Sequence, residues 1–215
     1  MTGKSLLKEL RTKELTILRE RVTKRIKIRP LAKSVRRMVG VDVMVTAQAS
    51  KVHVCASLMS VPKMEILEEA IATDELDMLL YRDLGNLVFV PLILSVLKML
   101  KRKIDVIAVR EPSVGADLPL ASYIGVISGR PTFGVTERLG GLAKLALWEG
   151  ERRAGSIKIR GHRAGLGIVA GHLLTLKDAS TLARSTTKDS RFPEAVSNAR
   201  SRVRAWEREW KKTNL

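Results

Sequence analysis

The stretch IDVIAVREPSVGADLPLASYIGVISGRPTFGV, from Ile104 to Val135, decides the architecture. Ile104 to Val109 is a short continuous apolar run, the pattern of a strand covered on both faces. Glu111-Pro112 breaks it, and about Ala116 to Ser128 reads as a helix that Gly129 and Pro131 stop. Thr132 to Val135 is then a second buried strand. Strand, helix and strand in about thirty residues make a βαβ unit.

Upstream, Val39 to Ala47 and Lys51 to Ser60 are apolar and β-branched with a polar turn at Gln48 to Ser50, which predicts a hairpin. Met64 to Ala72 supplies a third strand. Leu87 to Leu100 reads as a buried helix with Pro91 in its first turn. Further back, Leu7, Leu10, Leu15, Leu18, Val22 and Ile26 recur at helical spacing over residues 5–28, and Pro30 forbids continuation. Downstream, residues 139–171 are glycine-rich with short β-like pieces. Thr175, with Asp178 three residues on, is the N-cap of a short helix. Pro193 opens a last helix whose stripe of Phe192, Val196, Ala199, Val203, Trp206 and Trp210 is expected to pack on the core. The expected fold is α/β: a hairpin-led mixed sheet with helices on both faces, in one domain over residues 1–215. Residues 1–38 form a basic N-terminal helix and lead-in, 39–180 the sheet core, and 181–215 a basic C-terminal helical segment.

Of the 215 residues, 45% are apolar, enough for one sizeable core. No run approaches the roughly 18 apolar residues of a membrane helix, and the basic start lacks the apolar run of a signal peptide. A soluble, cytoplasmic protein with no membrane partner, monomeric by default, is the expectation. The one cysteine, Cys55, excludes an intrachain disulfide or a cysteine-rich zinc site and reads as a small buried strand residue. Net charge is +17 and uneven: residues 1–38 hold 13 basic and 3 acidic side chains, 181–215 hold 9 and 4, and the body holds 17 and 15. Basic ends on a nearly neutral body point to a polyanion, because phosphates neutralised by Lys and Arg release condensed counterions. Aromatic content of 4% argues against an extended stacking platform, so phosphate contacts should dominate.

Asp42 is the most conspicuous polar residue, a carboxylate between Val41 and Val43 in an apolar strand, where it needs a cation, a metal or several donors. Hard divalent metals are held by carboxylates converging from neighbouring strands. Past Val109, where a second ligand would fit, stands Arg110, and Glu111 should alternate to the other face.

VGVDV at Gly40 to Val43 with its preceding valine, IDVIAV, LASYIGVISGRPTFGV, GIVAGHLLTLKDA from Gly167 to Ala179, and RFPEAVSNAR from Arg191 to Arg200 resemble endonuclease V in order and spacing. The likeness spans nearly the whole chain. It implies an RNase H-like fold and cleavage of DNA or RNA near deaminated bases, chiefly inosine, with Mg2+ held by acidic residues. The family's first-strand metal-binding aspartate falls on Asp42 and its later histidine on His172, both retained and both candidate catalytic residues. Its other acidic positions fall on Phe89 and Arg110, its lysine on Glu137, and the tyrosine of its base-wedging loop on Tyr81. One carboxylate holds Mg2+ weakly, and Arg110 repels it. Arg110 is instead expected to pair with Asp42 in place of the lost cation. Candidate nucleic-acid contacts are Arg110, Tyr81, Arg36, Arg37, and Arg160 and Arg163 of the glycine-interleaved stretch Arg152 to Gly167. His53 and His162 are expected to have no catalytic part.

Three functions follow. The first is an endonuclease V-like protein that binds DNA or RNA, including inosine-containing strands, with cleavage lost or strongly impaired and no cofactor. The second is an active Mg2+-dependent endonuclease in which Glu111 or Asp117 replaces the missing ligands. The third is a structural ribonucleoprotein component, for which basic ends and an intact core suffice.

Overall fold

The computed structural model describes residues 17–46, 50–78, 81, 85–111, 118–137, 147–148, 151–162 and 164–214. Strands β1 (Arg37–Thr46), β2 (Lys51–Ser60) and β3 (Ile66–Glu75) form an antiparallel meander. β4 (Val106–Arg110) and β5 (Thr132–Thr136) follow, and β1, β4 and β5 run parallel. A small ribbon, β6 (Leu147–Trp148) with β7 (Glu151–Arg152), stands outside the main sheet. β8 (Ala154–Ile157) and β9 (Leu166–His172) complete a seven-stranded sheet of order β3-β2-β1-β4-β5-β9-β8. Helices are α1 (17–25), α2 (Val90–Met99), α3 (Leu120–Ser128), α4 (Leu176–Thr186) and α5 (Glu194–Asn214).

Strand alternation assigns the two faces. Val39, Val41, Val43, Ile107 and Val109 pack with α2, α3 and Val22 of α1. Met38, Val106, Ala108, Phe133 and Val135 pack with α4 and the start of α5. Gly40 marks where α5 crosses β1: a Cβ there would lie 2.1 Å from the Ala195 carbonyl carbon, so no larger residue admits this approach.

The βαβ reading holds, with the first strand two residues later than expected. Asp105 stays out of β4 because its Oδ2 accepts the backbone N–H groups of Arg36 and Arg37, at 3.1 and 3.0 Å. α3 starts at Leu120, behind Pro119, rather than near Ala116, which lies outside the described residues. Gly129 ends α3 with φ of 65°, a left-handed cap that glycine adopts without strain. Pro91 sits in the first turn of α2, and the Thr175 hydroxyl caps α4 by accepting the Asp178 N–H, both as expected.

Three expectations need correction. The third strand runs three residues further, to Glu75, because β2 pairs with it along its whole length. In the first helix Leu7, Leu10 and Leu15 lie outside the described residues, and Leu18 is exposed while Val22 and Ile26 are buried. On α5 the stripe buries Phe192, Val196, Ala199 and Val203, but Trp206 is exposed. The Trp206 indole N–H donates to Thr73 Oγ1 of the edge strand β3 at 3.0 Å, and the Trp210 ring meets that of His53 on β2, with centroids 5.9 Å apart.

Candidate functional site

At the carboxyl ends of the three parallel strands, even-numbered residues of β1 and β4 and the residue after β5 face α5. Asp42 and Arg110 come side by side because Val41 is in register with Val109. Arg110 Nη1 donates to Asp42 Oδ1 at 3.2 Å, and the Val43 N–H donates to the same oxygen at 2.9 Å. Just beyond, Arg200 on α5 donates from Nη1 to Glu137 Oε1 at 2.9 Å. The Phe192 ring lies within cation–π range of both guanidiniums, 5.8 Å from that of Arg110 and 5.2 Å from that of Arg200. The site is therefore a chain of two ion pairs joined through an aromatic ring.

Asp42 is 1% exposed, and burial pushes its carboxyl above the ordinary carboxylate range. The Arg110 charge and hydrogen bond, the Val43 N–H and the Arg200 charge all act the other way, favouring the ionised form. Its Oδ2 is buried with no hydrogen-bond partner among the described residues. Glu137 is held below the usual range, chiefly by the hydrogen bond from Arg200.

This donor set does not fit Mg2+, which demands several hard oxygens. Among the described residues no three His, Cys, Asp or Glu side chains converge on a point. One Asp42 oxygen is already taken by a guanidinium, and Glu137 is engaged by another. Glu111 does alternate to the opposite face: its Oε2 and Oε1 accept the Leu120 and Ala121 N–H groups of α3 at 2.9 and 3.0 Å. Burial raises its carboxyl to about 7 against those hydrogen bonds. It caps a helix and cannot serve as a substitute ligand beside Asp42, while Asp117 lies outside the described residues.

The other expected residues are not gathered here. The structure separates His172 from Asp42: it pairs with Thr132, which lies level with Ile107 at the opposite ends of the strands. That is three strands across, about 14 Å, and about 10 Å along. His172 Nδ1 accepts the Lys27 N–H at 3.2 Å, and burial first, then the charges of Lys27, Arg29 and Arg153, disfavour its protonation. Phe89 is fully buried under α2, and Tyr81 packs on it with ring centroids 5.3 Å apart, which makes Tyr81 a core-edge residue here. Arg160 is exposed after β8, and Arg163 lies outside the described residues. Arg36 and Arg37 open β1 at the same far end as His172. His53 is held between Thr46 and Thr73 hydroxyls, and Cys55 is buried as expected, with its thiol pushed up to about 12 by that burial.

Arg200 and Phe192 were not legible as site residues. Phe192 precedes α5 and begins a stripe whose apolar period reads as core packing, and Arg200 lies in that helix. The available signal was a single arginine next to Ala199, at the border of that stripe.

A mixed sheet with three parallel central strands, antiparallel flanks and helices on both faces is the RNase H-like fold. Over residues 20–201 the chain matches endonuclease V, and it belongs to that family. Endonuclease V from Bacillus subtilis superposes with a TM-score of 0.82 at 15% identity, over 94% of each chain. That from Streptomyces avermitilis gives 0.75 at 21% identity, over 93% of this chain and 94% of the other. Endonuclease V of Ciona intestinalis, in complex with a 24mer DNA containing an inosine followed by a ribo-adenosine, gives 0.78 at 18% identity, over 94% and 99%. No curated relative matches by sequence. Among the described residues no helix is long and apolar enough to cross a membrane.

Proposed function

We propose that this chain is an endonuclease V-family protein that binds DNA or RNA, with metal-dependent strand cleavage lost or strongly impaired. The observation that carries the reading is the Asp42–Arg110 pair, in which a guanidinium takes the place where cleavage would need a further carboxylate. A fixed cation supplies charge neutralisation for Asp42 but offers no exchangeable coordination position for a water or a phosphate oxygen. Nucleic-acid binding is supported by the +17 net charge and by the Ciona relative's complex with inosine-containing DNA. His172, far from Asp42, is left out of the proposed site, and Arg110 and Arg200 become its candidate phosphate-facing groups.

The test is single-turnover incubation with labelled inosine-containing DNA and RNA in Mg2+ or Mn2+, with binding measured on the same samples. Binding without a nicked product is expected. Metal-dependent nicking that Asp42→Asn abolishes would overturn the proposal.

A further inference from the structure

At the end of the sheet opposite Asp42, a cleft of about 620 Å³ opens where β1, β4 and β5 begin. Its walls come from the lead-in to β1, the turn before β4 and the turn between α3 and β5. Six cations line it: Arg29, Lys33, Arg36, Arg37, Lys103 and Arg130. The one acidic residue lining it is Asp105, and that carboxylate is already engaged by the Arg36 and Arg37 N–H groups and lies 4.0 Å from Arg37 Nε. Arg130 is tied to the Ile104 carbonyl at 2.7 Å. Arg29, Lys33, Arg36 and Lys103 are exposed, and no acidic side chain among the described residues pairs with theirs.

Uncompensated cations within about a Debye length of one another, roughly 8 to 10 Å, repel, and concave walls of low dielectric concentrate their field. Solubility alone would scatter these charges. Gathering them in one concavity, with the one acidic side chain that lines it engaged by backbone N–H groups, is the arrangement that an anion with several charges at regular spacing satisfies. A concave site admits a thread rather than a flat surface.

From this we infer that the cleft between Arg29 and Arg130 is a second binding site, for the phosphodiester backbone of a nucleic acid, at the pole opposite Asp42. The inference rests on the nucleic-acid reading above and deepens it. Arg37 and Asp42 are five residues apart on β1, about 16 Å, so the cleft would anchor a strand independently of the Asp42 end. Its contacts go to phosphates and carry no base preference.

The test uses the full chain carrying Arg29→Gln, Lys33→Gln, Arg36→Gln and Lys103→Gln together, positions whose side chains make no hydrogen bond that the fold depends on. Binding of a labelled 20-nucleotide single strand without inosine is measured from 50 to 200 mM salt, beside Arg200→Gln, with thermal melting as the folding check. The quadruple variant is expected to melt as the parent does, to bind at least tenfold more weakly at 50 mM, and to show a log–log salt slope reduced by roughly 3, at about 0.7 per phosphate contact. An unchanged affinity and slope in the quadruple variant, with binding lost in Arg200→Gln, would overturn the cleft and leave nucleic-acid binding standing. A parent that binds no strand would overturn both. Binding of anionic phosphatidylserine vesicles that the quadruple variant loses, with strand binding intact, would likewise overturn it in favour of a membrane surface.

Discussion

The two ends of the sheet handle charge in opposite ways. Where β1, β4 and β5 finish, the described cluster holds two ion pairs, Asp42 with Arg110 and Glu137 with Arg200. Where the same strands begin, four exposed cations around the cleft have none among the described residues. The first end is half-buried beneath α5, so an unpaired charge there would suffer desolvation without compensation. The second is open to water, where an unpaired cation costs little and remains free to meet a ligand. Pairing at the first end compensates a buried carboxylate, and its absence at the second leaves cations free for a ligand.

The sharpest way to break this contrast is Arg110→Ala, which strands the buried Asp42. A loss of about 3 to 4 kcal/mol in urea denaturation at pH 7 is expected, and the double change Asp42→Asn/Arg110→Gln should recover more than half, because no bare charge is left behind. A loss below about 1 kcal/mol would show that the pair is a surface contact after all.

Glu111 sharpens the contrast through pH. Its folded carboxyl titrates near 7, above an ordinary value of 4.5, because of burial. Between those two values the folded state binds more protons than the unfolded chain, so stability is fully present below about pH 4.5 and declines as pH rises through 7. The decline attributable to Glu111 is expected to reach up to about 3 kcal/mol, at about 1.36 kcal/mol per pH unit of difference. Glu111→Gln, compared across pH 5 to 8 by denaturant titration, should flatten that slope. An equal slope in both proteins would mean that the α3 amides hold the carboxylate ionised.

A smaller effect is expected of Arg200→Ala. Glu137 is more than a third exposed, so the pair is screened and its loss should cost about 1 kcal/mol or less in the same assay. Least of all should be Lys33→Gln or Lys103→Gln at the cleft, within about 0.5 kcal/mol of the parent, with any shift towards stabilisation as repulsion is relieved. A clear destabilisation there would mean that these cations have structural partners, and the contrast between the ends would fail.

Much of the fold was legible in short-range patterns. The continuous apolar run before Arg110, the β-branched apolar run around Asp42, Pro91 in a first turn, the Thr175 cap and Gly129 all act within a few residues, and each placed its element within two or three positions. The Asp42–Arg110 pair was legible too, because a carboxylate in an apolar strand demands a cation and Arg110 closes the neighbouring strand. His172 misled: its place after a glycine-rich strand fits the family's order, yet β9 runs antiparallel to β5 and carries it to the wrong end. Strand direction is a property of long-range pairing, which local pattern does not encode.

The amino-acid sequence by itself determined the βαβ core, the surplus of positive charge at both ends and the arginine, in place of a carboxylate, that closes the strand after Val109, since these depend only on residue identity and short-range periodicity. The tertiary structure alone decided that Arg200 and Phe192, some ninety residues away in sequence from Arg110, join the Asp42 end. It also decided that cations from three separate segments share one cleft at the other. Such groupings are set by the crossing of α5 over Gly40 and by strand order, both products of packing between distant parts of the chain.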